Sequence, residues 1–158
     1  MARKRINALA SLVIKDSVVA DIGTDHAFLL IKLLEDKKIK YAYAIDNKDG
    51  PITNAINNIN KHNFNKVCEV IKADGLNFNL NKNVDTLVFA GLGGITTIEI
   101  INKDINKLKF IKYIVTDIHR DDDKVNDFLK ELHFNLDEEI TIIDKKQKYH
   151  LCRYRHEN

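Results

Sequence analysis

The chain has 158 residues, 44% of them apolar, and a formal net charge of +2, which suits one domain over residues 1–158 with a real core and sets up no global charge demanding nucleic acid. No apolar run approaches the ~18 residues of a membrane span, so a cytoplasmic monomer is expected. Cys68 and Cys152 have neither C-x-x-C nor metal-ligand spacing and are expected as buried reduced thiols.

The opening MARKRINALASLV is basic and then apolar, which imitates a secretory leader. Its apolar part is short, broken by Asn7 and Ser11, and followed by no cleavage site. Strand-length apolar runs then recur: SVVADI, YAYAID, VCEVIKA, DTLVFAG, KYIVTDI, EITIID and KYHLCRY. Helical patterns are expected between the first five. Phe28 to Leu34 is almost wholly apolar, as a helix buried on a sheet would be. From Pro51, residues Ile52, Ala55, Ile56 and Ile59 repeat at i, i+3, i+4, i+7, with the proline in the first helical turn. Gly94 to Asp104 carries Ile95, Ile98 and Ile101, and Arg120 to Leu132 carries Val125, Phe128, Leu129 and Leu132. The acids Asp121 to Asp123 are expected to cap the last helix and complement its dipole.

Strand–helix alternation predicts a parallel sheet covered on both faces. Only KKQ separates the last two runs, too short for a crossover, so they pair antiparallel. The fold class is therefore α/β, with five parallel strands closed by an antiparallel C-terminal hairpin. That pattern resembles the Rossmann-like fold of S-adenosylmethionine-dependent methyltransferases.

Ligands in such sheets sit beyond the carboxyl ends of the strands. Here those ends are Asp21-Ile22-Gly23, Asp46-Asn47, Asp74-Gly75, Gly91-Leu92-Gly93-Gly94 and Asp117-Ile118-His119. A dinucleotide loop needs G-x-G-x-x-G around a pyrophosphate. Only Gly23 is present, flanked by Asp21 and Asp25, which would repel phosphate. A sulfonium cofactor without phosphate fits better, because loop carboxylates can face its cationic groups directly or through water, and Gly23 lets the chain pass close. Asp46, 25 residues after Asp21, is placed to accept both ribose hydroxyls, and Asp74 to accept from an adenine amino group.

The motif D-I-G-T-D-H-A, Asp21 to Ala27, resembles the D-I-G-S-D-H-A of bacterial tRNA (adenine-N1)-methyltransferases acting at position 22. Asn47 with Gly50-Pro51, Ala73-Asp74-Gly75-Leu76, and Ala90-Gly91-Leu92-Gly93-Gly94 are similar to further family motifs, in the same order. Lys148-Tyr149-His150 falls where the family has a lysine shortly before Y-E-I. The resemblance implies S-adenosylmethionine as cofactor, held by Asp21, Gly23, His26, Asp46, Asn47, Asp74, Gly75, Gly91 and Gly93, and an adenine of tRNA as substrate. Two departures stand out. Asp117-Ile118-His119 replaces the family's Gln-Pro-Asn, and the family continues into a pair of C-terminal helices that helps hold tRNA, so the chain is expected to be either a naturally short member or a piece of a longer one.

Adenine N1 is a lone-pair nucleophile, so no strong general base is required. The site must align N1 with the methyl group and place negative potential near the ring, which becomes cationic. Asp25 is the first candidate for that potential and Asp117 the second, with His119 beside it. His26 either orients Asp25 or the ligand, or bonds the helix backbone. Gly91 to Gly94 lets the base approach. Since N1 is a Watson–Crick atom, the base must be opened or flipped. RNA grip is expected from Arg3, Lys4 and Arg5 and from Lys145, Lys146, Lys148, Arg153 and Arg155, with Tyr149 and Tyr154 as stacking surfaces. Asp117 with Asp121 to Asp123 imitates a metal cluster, but no second ligand group accompanies it, and no metal is expected. Two alternatives stand beside this reading: a cofactor-binding RNA or protein interaction module that has lost methyl transfer, and a methyltransferase for another substrate.

Overall fold

The computed structural model describes residues 2–157. It contains β1 (Val18–Ile22), β2 (Tyr41–Asp46), β3 (Cys68–Lys72), β4 (Thr86–Leu92), β5 (Tyr113–Ile118), β6 (Phe134–Asp144) and β7 (Gln147–His156), five α-helices, α1 (Arg3–Leu12), α2 (Phe28–Glu35), α3 (Asp49–Lys61), α4 (Gly94–Lys103) and α5 (Asp122–Glu131), and a short 3-10 helix at Ile105–Phe110. The strands form one mixed seven-stranded sheet in the order β3-β2-β1-β4-β5-β7-β6. β6 runs for 11 residues, well beyond the expected EITIID segment, and carries a bulge between Leu136 and Glu138.

The α/β layering expected from the sequence is present. One face of the sheet, through Val19, Ala42, Ala44, Val88, Val115 and Leu151, packs against α1, α2 and the Ala55/Ile59 stripe of α3. The other, through Ala20, Ile22, Ile45, Phe89, Ile114 and Cys152, packs against Ile101 of α4 and Val125 and Leu129 of α5. Both cysteines are buried and unpaired, and burial pushes their thiols up, Cys68 to about 12 and Cys152 to about 11. No helix among the described residues is long and apolar enough to cross a membrane.

Three local expectations differ. The opening segment is the amphipathic helix α1, which buries Leu9, Ala10 and Leu12. No helix joins β3 to β4. The stretch GLNFNLNKNVD alternates apolar and asparagine, so Leu76 and Val84 reach the core from irregular backbone. Asp121 precedes α5 but makes no side-chain capping bond, because its backbone is left-handed at φ 64°. Asp122 and Asp123 still occupy the first turn, as the dipole favours.

The helices α4 and α5 meet at Gly94, whose N–H donates to the Arg120 carbonyl at 2.8 Å. A Cβ there would lie 2.5 Å from the Asp121 carbonyl oxygen and 2.7 Å from that of Arg120. Gly94 is thus a packing residue, not a point of approach for a base. Gly94→Ala should force backbone apart and lower stability by about 1–3 kcal/mol, measured by urea unfolding; a change under ~0.5 kcal/mol would contradict this packing role.

Candidate functional site

Parallel register places the ends of β1, β2 and β4 side by side, with Ile22 opposite both Ile45 and Phe89. At Gly23 (φ +79°) the chain leaves β1, and the N–H groups of Gly23 and Thr24 both donate to the Ile45 carbonyl at 2.9 Å. The turn folds the D-I-G-T-D-H loop over β2 before α2 begins. Gly91 is also left-handed, at the irregularity between β4 and β5, and its Cβ position is open, with nothing within 4 Å. Two adjoining cavities result, of about 320 and 490 Å³, both bordered by Gly23, Asp46, Asn47 and Leu92. The smaller extends past Asp74 and Gly75 to Thr96 and Glu99, and the larger past Asp21, Asp25 and His26 to Gly91, His119 and Arg5.

The carboxylates in this cleft have different environments. Asp21 is buried at the end of β1. Burial raises its carboxyl to about 7, against the lowering influence of Thr24 and with a further push from Asp46. Among the described residues the buried Thr24 hydroxyl has no hydrogen-bond partner. Asp46 accepts from the Lys48 N–H at 3.2 Å and the Asp25 N–H at 3.4 Å, so backbone on both sides fixes it at the junction of the cavities. Asp25 is exposed, left-handed at φ 52°, and 3.7 Å from His26 Nε2. The His26 ring stacks on Phe28 with centroids 4.9 Å apart. Asp74 is exposed at the rim, 3.9 Å from Lys103 Nζ. Gly75 (φ +59°) leaves no room for a side chain, since a Cβ would meet Ile100 at 2.8 Å.

The end of β5 is organised by a residue from α1. Arg5 forms an ion pair with Asp117 through both Nε, at 3.1 Å, and Nη2. Its guanidinium lies 4.2 Å over the Tyr149 ring and 3.3 Å from His119 Nε2. Since arginine only donates, His119 Nε2 is the acceptor. His119 meets Tyr149 edge-on at 5.5 Å. Asp117 is fully buried, with its second oxygen unpartnered, and does not border the cleft. It therefore cannot act as free negative potential for a base; Arg5 neutralises it. Arg5, for its part, faces inward and is not a surface cation for RNA.

The remaining basic groups sort by exposure. Lys4 Nζ donates to the Ile143 carbonyl at 2.7 Å, which brings the N-terminus of α1 beside the β6–β7 hairpin. Arg3, Lys145, Lys146, Lys148 and Arg155 are exposed. Arg153 is instead tied to Asp137 at 2.7 Å and to the Leu12 carbonyl. Tyr154 is a core residue, 2% exposed, and cannot stack on a base. Gly93 opens α4 with free space around its Cβ position. Among the described residues no group of three or more His, Cys, Asp or Glu side chains is placed to hold a metal ion.

Sequence reasoning missed Thr24, Leu92 and Glu99 as cleft residues, and missed that Arg5 belongs to the β5 end. Glu99 was findable, because it lies within two helical turns of the Gly93-Gly94 strand exit; the reach of Arg5 from a separate helix was not.

A methyltransferase domain family model matches residues 2–152. The tRNA (adenine(22)-N(1))-methyltransferase of Bacillus subtilis is 31% identical over 105 residues, 66% of this chain and 44% of that protein. The chain spans less than half the length of the curated relatives it matches. M. capricolum TrmK, solved with S-adenosyl-homocysteine, superposes with a TM-score of 0.90 at 28% identity, over 100% of this chain and 70% of that one. A Streptococcus agalactiae protein of the NADB-Rossmann superfamily gives 0.92 at 29% identity, over 99% and 69%. The fold is Rossmann-like, of the α/β methyltransferase type.

The buried charges generate two tests. Asp21 holds its proton more tightly folded than unfolded, so its contribution to stability is full below about pH 4 and declines as pH rises to about 7. At ~1.4 kcal/mol per pKa unit, ionising it costs a few kcal/mol. Asp21→Asn should be more stable than the parent above pH 7 and should remove that slope between pH 4 and 7, as read from urea midpoints; parallel profiles would refute it. Arg5→Leu strands the buried Asp117 charge and should cost about 3–5 kcal/mol. Adding Asp117→Leu should recover a large part of that loss in the same unfolding assay.

Proposed function

Because the chain belongs to the methyltransferase domain family, with strong similarity in sequence and structure to bacterial tRNA (m1A22) methyltransferases, we propose that residues 1–158 form a domain that transfers a methyl group from S-adenosylmethionine to N1 of an adenine in tRNA, at position 22. We take its sheet as five parallel strands closed by an antiparallel C-terminal hairpin, which leaves the carboxyl ends open to ligand. The observation that carries the proposal is the double cleft divided at Asp46 and Asn47. The smaller side takes the adenosine, with Asp46 accepting from the ribose hydroxyls and Asp74 from the adenine amino group, and Gly75 keeping the wall thin. The larger takes the amino-acid end and the target base.

The donor set suits this cofactor. Among the described residues, Asp21 is a desolvated acid with no cation of its own, and the Thr24 hydroxyl beside it lacks a partner. An ammonium group can donate to both, while a pyrophosphate could accept from the hydroxyl but would be repelled by the ionised Asp21. When bound, the cofactor supplies an electrophilic methyl on a sulfonium. The chain's part is to orient and desolvate. Gly23, Gly91 and Gly93 let ligand approach backbone, and His26, stacked on Phe28, steadies the Asp25 loop. Asp25, with its carboxylate exposed to the larger cavity, supplies the negative potential that the methylated ring requires. Arg3 and Lys4, continuous with Lys145, Lys146 and Lys148 through the Lys4–Ile143 bond, form one basic patch for the RNA backbone.

A second reading, a cofactor-binding module without methyl transfer, is favoured by one observation: Arg5 sequesters Asp117, at the place where the family resemblance implies Gln-Pro-Asn. One assay separates the two. Unmodified tRNA incubated with labelled S-adenosylmethionine should become labelled at an adenine N1, and retention of both ligands without transfer would establish the module instead.

S-Adenosylhomocysteine at ~100 times its Kd should add about 2.7 kcal/mol of stability, seen as a raised melting temperature; NADH shifting it instead would refute the cofactor assignment. Asp46→Ala should diminish the shift. Asp25→Asn should cut single-turnover methylation by roughly 10²-fold or more with little change in cofactor affinity; near-parental turnover would remove Asp25 from its role. Replacing Arg3 and Lys4 with Ala should flatten the log–log salt dependence of tRNA binding by about one for each phosphate left without its cation.

A further inference from the structure

A third cavity, of about 420 Å³, opens on the other side of the β5 and β7 ends from the main cleft. Alternation along β7 puts Tyr149 and Leu151 toward α1, and His150 and Cys152 toward α5. Thr141 of β6 pairs with His150. Ile118, Asp122, Thr141, Lys148 and His150 line this cavity, together with the edge-on pair His119 and Tyr149, which forms its rim toward the main cleft. His119 borders both this cavity and the main cleft, so a single side chain divides them.

The wall is built rigidly. His150 Nδ1 lies 2.9 Å from Asp122 and Nε2 2.7 Å from Glu139, so both ring nitrogens are engaged and α5, β6 and β7 are held together. The carboxylates outweigh the opposing effect of partial burial and hold the imidazole above its ordinary value. One imidazole thus lies between two carboxylates, and Lys148 is the lysine that lines the opening. Tyr149 is likewise fixed, under the Arg5 guanidinium, with its hydroxyl on Gln147 at 3.1 Å.

We infer that this cavity is a second nucleotide subsite, which takes the RNA residue adjoining the target adenine, its base against the His119–Tyr149 rim and its phosphate on Lys148. The inference rests on the proposed action on RNA. An adenine turned out of its stack drags its neighbour's backbone with it, and unstacked bases are held on aromatic side chains. A rim with aromatic rings, a hydroxyl at Thr141 and one lysine matches a single nucleotide, and its nearness to the cleft matches the next one along the strand.

The test is equilibrium binding of an unmodified tRNA transcript to the full chain saturated with S-adenosylhomocysteine, read by fluorescence anisotropy. Thr141→Trp fills the cavity from its far wall and should raise Kd at least tenfold while the melting shift given by S-adenosylhomocysteine persists. Lys148→Ala, a surface change that leaves folding intact, should lower the log–log salt slope by about one. Parental Kd in Thr141→Trp together with a parental slope in Lys148→Ala overturns the subsite, as does a parent chain that binds no tRNA. A raised Kd in Thr141→Trp with a lowered slope in Lys148→Ala, in a parent that transfers no methyl group, upholds the subsite while the catalytic reading fails.

Discussion

A carboxylate buried at the end of a parallel strand must find a cation or keep its proton, and this fold solves the problem in two ways. Asp117, at the end of β5, receives Arg5 from α1. Asp21, at the end of β1, has no ion-pair partner among the described residues, and burial raises its carboxyl to about 7. The first solution makes a closed wall, and the second leaves an unmet electrostatic demand at the floor of the cleft. In low dielectric such a demand costs free energy until a ligand meets it. Two acids thus occupy equivalent strand ends on either side of β4, one ion-paired and one not.

The same pair explains why α1 matters beyond its core contacts. Arg5 is anchored by Asp117, spread over Tyr149 and within reach of His119. One guanidinium thus sets the positions of β5, β7 and the loop after β5. Planar stacking together with directional N–H groups is a combination that lysine would not supply. Lys4, one residue earlier, points the other way and fastens the hairpin carbonyl of Ile143. Neighbouring basic residues on one helix turn do separate jobs, one structural and one at the surface.

That division was invisible in the one-dimensional chain. Strand ends were legible because glycine and aspartate interrupt apolar runs, and the D-I-G-T-D-H and A-G-L-G-G turns fell where the cleft now lies. Side-chain direction was not legible. Arg5 and Arg153 read as surface cations from their basic surroundings, yet both turn inward to partners more than 100 positions away or across the hairpin. Tyr154 looked accessible among arginines, but the period-two alternation of β7 places it in the core beside Cys152. Gly94 looked like part of a ligand loop, and its requirement comes from a backbone crossing that no local pattern encodes. The helix α1 was hidden because its apolar stripe is short and opens with three basic residues.

The bulge in β6 bears on how the molecule behaves in company. β6 is an outer strand of the sheet, and long outer strands offer unpaired backbone groups to other chains. Between Leu136 and Glu138 the ladder slips, and the run Asp137-Glu138-Glu139 places three acids at the slip. Arg153 grips Asp137 from the inner strand, and His150 grips Glu139, so the kink is fastened at both ends. A second copy adding its own β6 edge to edge would have to align acids against acids across a distorted register. The flank of the sheet is guarded against self-templated growth while its carboxyl end stays open to ligand.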